Sequence, residues 1–206
     1  MILFIPAFST VEVLPDRLDG TTPEPIVKVV DVPQPHRPKE LVRIFSIVRS
    51  YRADISESEI WKISEVIFEE SAKRAIDPLL VLALIRIESR FQSAAVSPMG
   101  ARGMMQIMPD TGKFLAKTLA REYGFHSAAF RPESLDDPVL NVRLGIYYLK
   151  NLHEQFEHLK LALTAYNIGP GEIQNRLENN LEMSDEFASL VLNAYQRFKK
   201  TKTPLF

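Results

Sequence analysis

The sequence predicts an all-α domain over residues 39–206, preceded by a proline-rich extended arm over residues 1–38. Two observations predict this. Beyond residue 39, apolar residues recur at three- and four-residue spacing, and cap and stop signals cut the pattern into helix-sized pieces. Before it, seven of the 14 prolines fall among short Val/Ile patches with no helical period, the composition of an arm or linker.

Within 39–206, Lys39 to Tyr51 places Leu41, Ile44, Phe45 and Val48 on one stripe of an amphipathic helix. Ser56 or Ser58 caps a second helix reaching about Ala75, and Asp77-Pro78 opens a third with a cap followed by proline at the first helical position. Asp110 or Thr111 starts a fourth, stopped at Gly124, and Asp137-Pro138 starts a long fifth reaching about Phe156. Leu159 to Asn167 reads as a short apolar helix ended by Gly169-Pro170-Gly171, and Glu172–Asn179 and Ser184–Lys199 complete the set. No strand pattern competes after residue 39, apart from room for a small β-hairpin around residues 95 to 108. Glycine is concentrated late: Gly20 alone precedes residue 100, and seven follow. The irregular segment Ser97 to Pro109 is therefore the loop expected to line a site, since glycine permits left-handed turns and close approach of backbone to a ligand.

Composition narrows the classes of function. The net charge of −1 and the lack of a long basic block give no footprint for nucleic acid. With no cysteine, disulfides and thiolate metal sites are excluded. No apolar run reaches the roughly 18–20 residues that span a bilayer. The opening MILFIPAFST is apolar but short, lacks a basic flank and contains Pro6; a leader remnant and an N-terminal strand both fit it. The histidines of HEQFEH, residues 153 to 158, are five apart, roughly 140° around a helix, so they cannot share one metal ion. Met99 and Met104 read as core filler, and the Tyr147-Tyr148 pair as core packing.

One residue resists the pattern. ALIRIESRF, residues 83 to 91, continues the aliphatic third helix yet contains Glu88. On a helix from Pro78, Glu88 shares a face with Val81, Leu84, Ile85 and Phe91, while Arg86 and Arg90 point to the other side. Burial and the carbonyl end of the helix dipole both favour the protonated carboxyl. A raised pKa is what a carboxylic general acid needs near neutral pH. The bland alternative is a glutamate at a frayed helix end, turned to solvent or paired with a lysine.

Four blocks follow in order: Glu88-Ser89; Ser97-Pro98-x-Gly100-Ala101-x-Gly103; Met105-Gln106-Ile107-x-Pro109-x-Thr111; and Ala165-Tyr166-Asn167-x-Gly169. With Asn141, Gly145 and Tyr148-Leu149 spaced along the fifth helix, residues 60 to 180 resemble the soluble lytic transglycosylase family. These are bacterial relatives of goose-type lysozyme that cleave the glycan strands of peptidoglycan. The resemblance implies a lysozyme-like helical domain with Glu88 as the single catalytic acid/base. It would protonate the glycosidic oxygen between N-acetylmuramic acid and N-acetylglucosamine, then take the proton of the muramyl C6 hydroxyl, which closes onto C1 as a 1,6-anhydro ring. Ser97, Gln106 and Tyr166 match residues beside the acid, Asn167 matches its support, and Met105 and Met108 match apolar walls under the sugar. No metal or cofactor is implied. The expected partner is the glycan strand, in the periplasm or cell envelope, with an envelope protein as a further partner for the arm.

The residues agree with a one-carboxylate reaction. A conventional glycosidase uses two carboxylates about 5 to 9.5 Å apart. Asp77 and Asp137 precede proline as caps, Asp110 suits a helix start, and Glu133 and Asp136 have no motif around them. The chain departs from the family where Gln92-Ser93 replaces the common Asn-Pro, and where Met104 replaces leucine. Two rival activities fit the same fold: a hydrolytic muramidase that admits water, and a non-catalytic glycan-binding or scaffold protein.

Overall fold

A computed structural model describes residues 37–201. The expected arm, residues 1–38, and the last five residues therefore lie almost wholly outside the described part. Among the described residues there are eight α-helices: α1 (Lys39–Tyr51), α2 (Glu57–Arg74), α3 (Pro78–Glu88), α4 (Pro109–Tyr123), α5 (Pro138–Phe156), α6 (Leu159–Ile168), α7 (Pro170–Glu178) and α8 (Glu186–Lys200). Two short 3₁₀ turns, Ser127–Ala129 and Pro132–Asp136, join α4 to α5.

The caps explain where the helices begin. Ser56 and Glu59 form a reciprocal capping box on α2, the Ser56 hydroxyl accepting from the Glu59 amide at 3.2 Å and the Glu59 carboxylate from the Ser56 amide at 3.1 Å. Asp77 accepts from the Leu79 amide at 2.8 Å, and Asp137 from the Leu140 amide at 2.7 Å. Each such cap contributes about 1 kcal/mol. The fourth helix differs from expectation: it opens at Pro109 with Met108 as its cap residue, so neither Asp110 nor Thr111 caps it. Proline at the first helical position has its backbone angle preset and lacks only an amide that would be unpaired there.

At the centre is α3. Leu79 to Ile85 are all buried, without a polar face, because α3 packs against α8, α2 and α1. Each large aliphatic side chain removed from water contributes about 1.5–3 kcal/mol. Around it, α2 packs on α5 and α5 on α6. Phe91 is also fully buried, but α3 ends at Glu88, so its ring enters the core through the following turn and not along the helix face.

The segment expected as a hairpin holds two isolated bridges, Val96 with Arg102 and Arg102 with Ile107, and no continuous ladder. Gly100, Gly103 and Gln106 adopt positive φ there, which breaks the pleat that a ladder requires. Met104 is buried as expected. Met99 is not core filler: it is 81% exposed, on a turn closed by the Gly100 amide donating to the Ser97 carbonyl.

Candidate active site

Glu88 is the last residue of α3, and its side chain is neither free in solvent nor paired. Among the described residues no hydrogen bond or ion pair reaches its carboxylate, yet its oxygens are not sealed from solvent. Burial alone pushes its pKa up to about 8, from a usual 4.5. Glu88 in turn raises the Tyr166 phenol, whose pKa stands well above its usual value, first through burial and then through the charges of Glu88 and Tyr148. The three side chains thus form one group, with the Tyr148 and Tyr166 rings 5.2 Å apart and tilted by 48°.

The loop opposite is fixed by side chains from α5, α6 and the residue that follows α3. The Ser89 hydroxyl donates to the Met104 carbonyl at 2.7 Å, and the Tyr166 hydroxyl to the Met105 carbonyl at 2.9 Å. Asn141 of α5 accepts from the Met105 amide at 2.7 Å and donates to the carbonyls of Arg102, 3.0 Å, and Leu135, 2.9 Å. The loop's buried backbone groups are thereby satisfied without regular structure. Glycine is required at position 103, where φ is +80° and a Cβ would collide with the Asn141 amide and the Leu135 carbonyl.

The expected site residues separate into two sets. Ser97 caps its own turn, its hydroxyl oxygen accepting from the Ala101 amide at 3.0 Å, which leaves its proton for an outside acceptor. Gln106 donates its amide nitrogen to the carbonyls of Gly103 at 2.9 Å and Ala95 at 3.1 Å, leaving its oxygen without a donor among the described residues. Met108 is 44% exposed at the start of α4, as a wall would need to be. Met105 departs from expectation: its side chain is wholly buried, against Gly145, so it supports the loop from beneath and offers no surface to a sugar. Asn167 is exposed at the end of α6, and no hydrogen bond ties it to Glu88 among the described residues. Ser89 and Asn141 carry roles that sequence reasoning did not assign. A buried asparagine on the apolar stripe of α5 was the available signal, since buried amides must find partners.

Among the described residues no second carboxylate acts on Glu88. Asp77 and Asp137 are caps, and Asp136 receives a two-pronged grip from Arg102 at 3.1 and 2.7 Å. Burial is the whole cause of the Glu88 shift, with no carboxylate contributing to it. Among the described residues no cluster of His, Cys, Asp or Glu has the grouping of a metal site. Cavities of about 500 Å³ beside Arg143 and about 570 Å³ beside Arg52 are each lined by residues other than Glu88.

A family model described as the transglycosylase SLT domain matches residues 65–187. The soluble lytic murein transglycosylase of Escherichia coli (strain K12) is 35% identical over 108 residues, covering 52% of this chain and 16% of that protein. The membrane-bound lytic murein transglycosylase C of Haemophilus influenzae (strain PittEE) is 28% identical over 131 residues, covering 60% of this chain and 36% of that protein. The crystal structure of the 70 kDa soluble lytic transglycosylase from Escherichia coli aligns with a TM-score of 0.57 at 23% identity, covering 77% of this chain and 29% of that one. A 70 kDa soluble lytic transglycosylase in complex with bulgecin A aligns with a TM-score of 0.59 at 22% identity, covering 80% and 30%. These structures share the all-α fold of residues 37–201. Each alignment spans well under half of the relative's length.

Proposed function

The chain belongs to the transglycosylase SLT domain family, and on that premise we propose that it is a peptidoglycan lytic transglycosylase with Glu88 as its only acid and base. One observation carries the proposal: a desolvated carboxyl, pushed up to about 8, has no hydrogen-bond or ion-pair partner among the described residues and acts on Tyr166, which holds the Ser97–Pro109 loop. Relatives in the family are named for action on murein.

The proposed reaction balances on one proton carrier. Protonated Glu88 gives its proton to the glycosidic oxygen between N-acetylmuramic acid and N-acetylglucosamine, and the C1–O bond breaks. The resulting carboxylate is poorly solvated and therefore basic. It takes the proton of the muramyl C6 hydroxyl as that oxygen bonds to C1, and so returns to its acid form. No water enters and no metal is required by the balance. The Ser97 hydroxyl and the Gln106 amide oxygen suit sugar hydroxyl and N-acetyl groups, Met108 an apolar sugar face, and Asn167 the rim. Tyr166 acts through Met105, holding the loop that carries Gln106. The substrate lies outside the cytoplasmic membrane, so the proposed place of action is the periplasm or cell envelope. Among the described residues no helix is long and apolar enough to cross a membrane.

Digestion of purified peptidoglycan, with mass spectrometry of the products, tests the proposal. The expected result is 1,6-anhydromuramyl ends from the wild type and a loss of roughly a thousandfold or more in rate for Glu88→Gln. Products carrying one added water would identify a hydrolytic muramidase instead. Binding of glycan without cleavage, unchanged in Glu88→Gln, would identify a non-catalytic glycan-binding protein.

A further inference from the structure

The turn that follows Glu88 is strained. Arg90, at φ 52°, and Phe91, at φ 66°, both hold left-handed backbone. For side-chain-bearing residues this conformation is unfavourable and persists only where the surroundings over-determine it. Three contacts do so here. The Phe91 ring is wholly buried and stacks on Tyr51 at 4.9 Å. Arg52 donates from Nη1 to the Phe91 carbonyl at 2.6 Å. The remaining edge of the same guanidinium is locked by Asp54, with Nε to Oδ1 at 2.8 Å and Nη2 to Oδ2 at 3.0 Å. Arg52 also closes α1, its own amide donating to the Val48 carbonyl at 2.9 Å.

Tyr51, Arg52 and Asp54 lie outside residues 65–187, the part matched by the family model. Arg52, the residue that follows α1, therefore grips the turn from outside the family region.

We propose that Arg52 is a positioning residue for the reaction, gripping the Phe91 carbonyl and so holding the turn that keeps the Glu88 side chain against the apolar floor of the site. It touches no reacting atom. Released from that grip, residues 90 and 91 relax toward ordinary backbone, α3 frays at its last turn, and the carboxyl gains water. The ionisable group that feels Glu88 is the phenol of Tyr166, from α6, which also feels Tyr148 of α5; Arg86 and Arg90 flank Glu88 in sequence without contributing to its shift. Hydration of the carboxyl is therefore the route by which Arg52 acts. The inference rests on Glu88 being the acid.

The test compares full-length wild type, Arg52→Ala, Arg52→Lys and Arg49→Ala. Arg49 pairs with Glu57 at 3.3 Å on the exposed side of α1 and serves as the control for that helix. Each is assayed for kcat and KM on peptidoglycan across pH, and the Glu88 carboxyl is titrated by ¹³C NMR. For Arg52→Ala, kcat should fall roughly tenfold to a hundredfold with KM little changed. The alkaline limb of its rate profile and the Glu88 titration should move together, down from about 8 toward 4.5. Arg52→Lys should be intermediate, since an ammonium can keep the carbonyl bond but not the fork with Asp54. Arg49→Ala should match wild type. A folded Arg52→Ala with both the titration and the limb unmoved overturns the proposal; if that variant is unfolded at the assay temperature, Arg52→Lys decides on the same readouts. Failure of the wild type to cleave peptidoglycan would overturn the proposed function, while the titrations would still decide whether Arg52 holds Glu88.

Discussion

The chemistry proposed for Glu88 has a consequence for stability. Burial pushes the native carboxyl up to about 8, against about 4.5 for a solvated glutamate. Between those values the folded state binds a proton that the unfolded state releases, so stability falls as pH rises from 4.5 to 8. At pH 7 the difference is about 3 kcal/mol. Glu88→Gln removes the ionisation and should be more stable than wild type by about that amount at pH 7, with no difference near pH 4, read from urea denaturation at both values. In the proposed reaction the same ionisation sets the rate: the proton donor is present below about pH 8 and lost above it, so kcat should fall through that limb, measured with initial rates on soluble glycan strands. The sequence itself makes the misfit at Glu88 visible, because a carboxylate on an aliphatic helix face has few bland explanations. It does not reveal that Met105 turns inward. Both Met105 and Met108 suit an apolar wall by composition, and only the fit of Met105 against Gly145 separates them.

At the scale of the element, the loop after α3 was legible by its glycines and not by its form. A hairpin is the natural expectation for a short irregular segment between helices. Positive φ at residues 100, 103 and 106 reduces it to two bridges, and its backbone groups turn to Ser89, Tyr166 and Asn141 instead. Long-range pairings of this kind leave no local signature. Asn141→Ala should destabilise the domain by about 3 kcal/mol, since it leaves the Met105 amide and two carbonyls unpaired in the core. Tyr166→Phe removes one bond to the same loop and should cost about 1–2 kcal/mol by thermal denaturation. Cap signals were read well at Ser56, Asp77 and Asp137, whose side chains act on their own helix. Met108 before Pro109 has no capping oxygen, so the sequence signals for α4 fall a residue or two after its start.

For the whole molecule, the all-α class followed from periodicity, while the ties between distant helices did not. Glu70 of α2 is buried, accepts from the Tyr123 hydroxyl at 2.5 Å, and lies 3.6 Å from Arg143 Nε and 4.0 Å from Arg74 Nε, joining α2, α4 and α5. In sequence it is one more charge on an amphipathic helix. Glu70→Ala leaves the part-buried Arg143 guanidinium without its carboxylate and the Tyr123 hydroxyl without its acceptor, while Arg74 keeps Glu122, and should lower the unfolding free energy by about 1–3 kcal/mol in urea denaturation. The family model likewise stops short of α1, the helix that ends in the Arg52 grip on the turn beside the acid. These ties leave Glu88 with an apolar floor and, among the described residues, no charged partner. A ¹³C NMR titration of the Glu88 carboxyl in the wild-type chain therefore tests the central claim most directly. A midpoint near 8 is the predicted result, and a midpoint at or below 4.5 would contradict it.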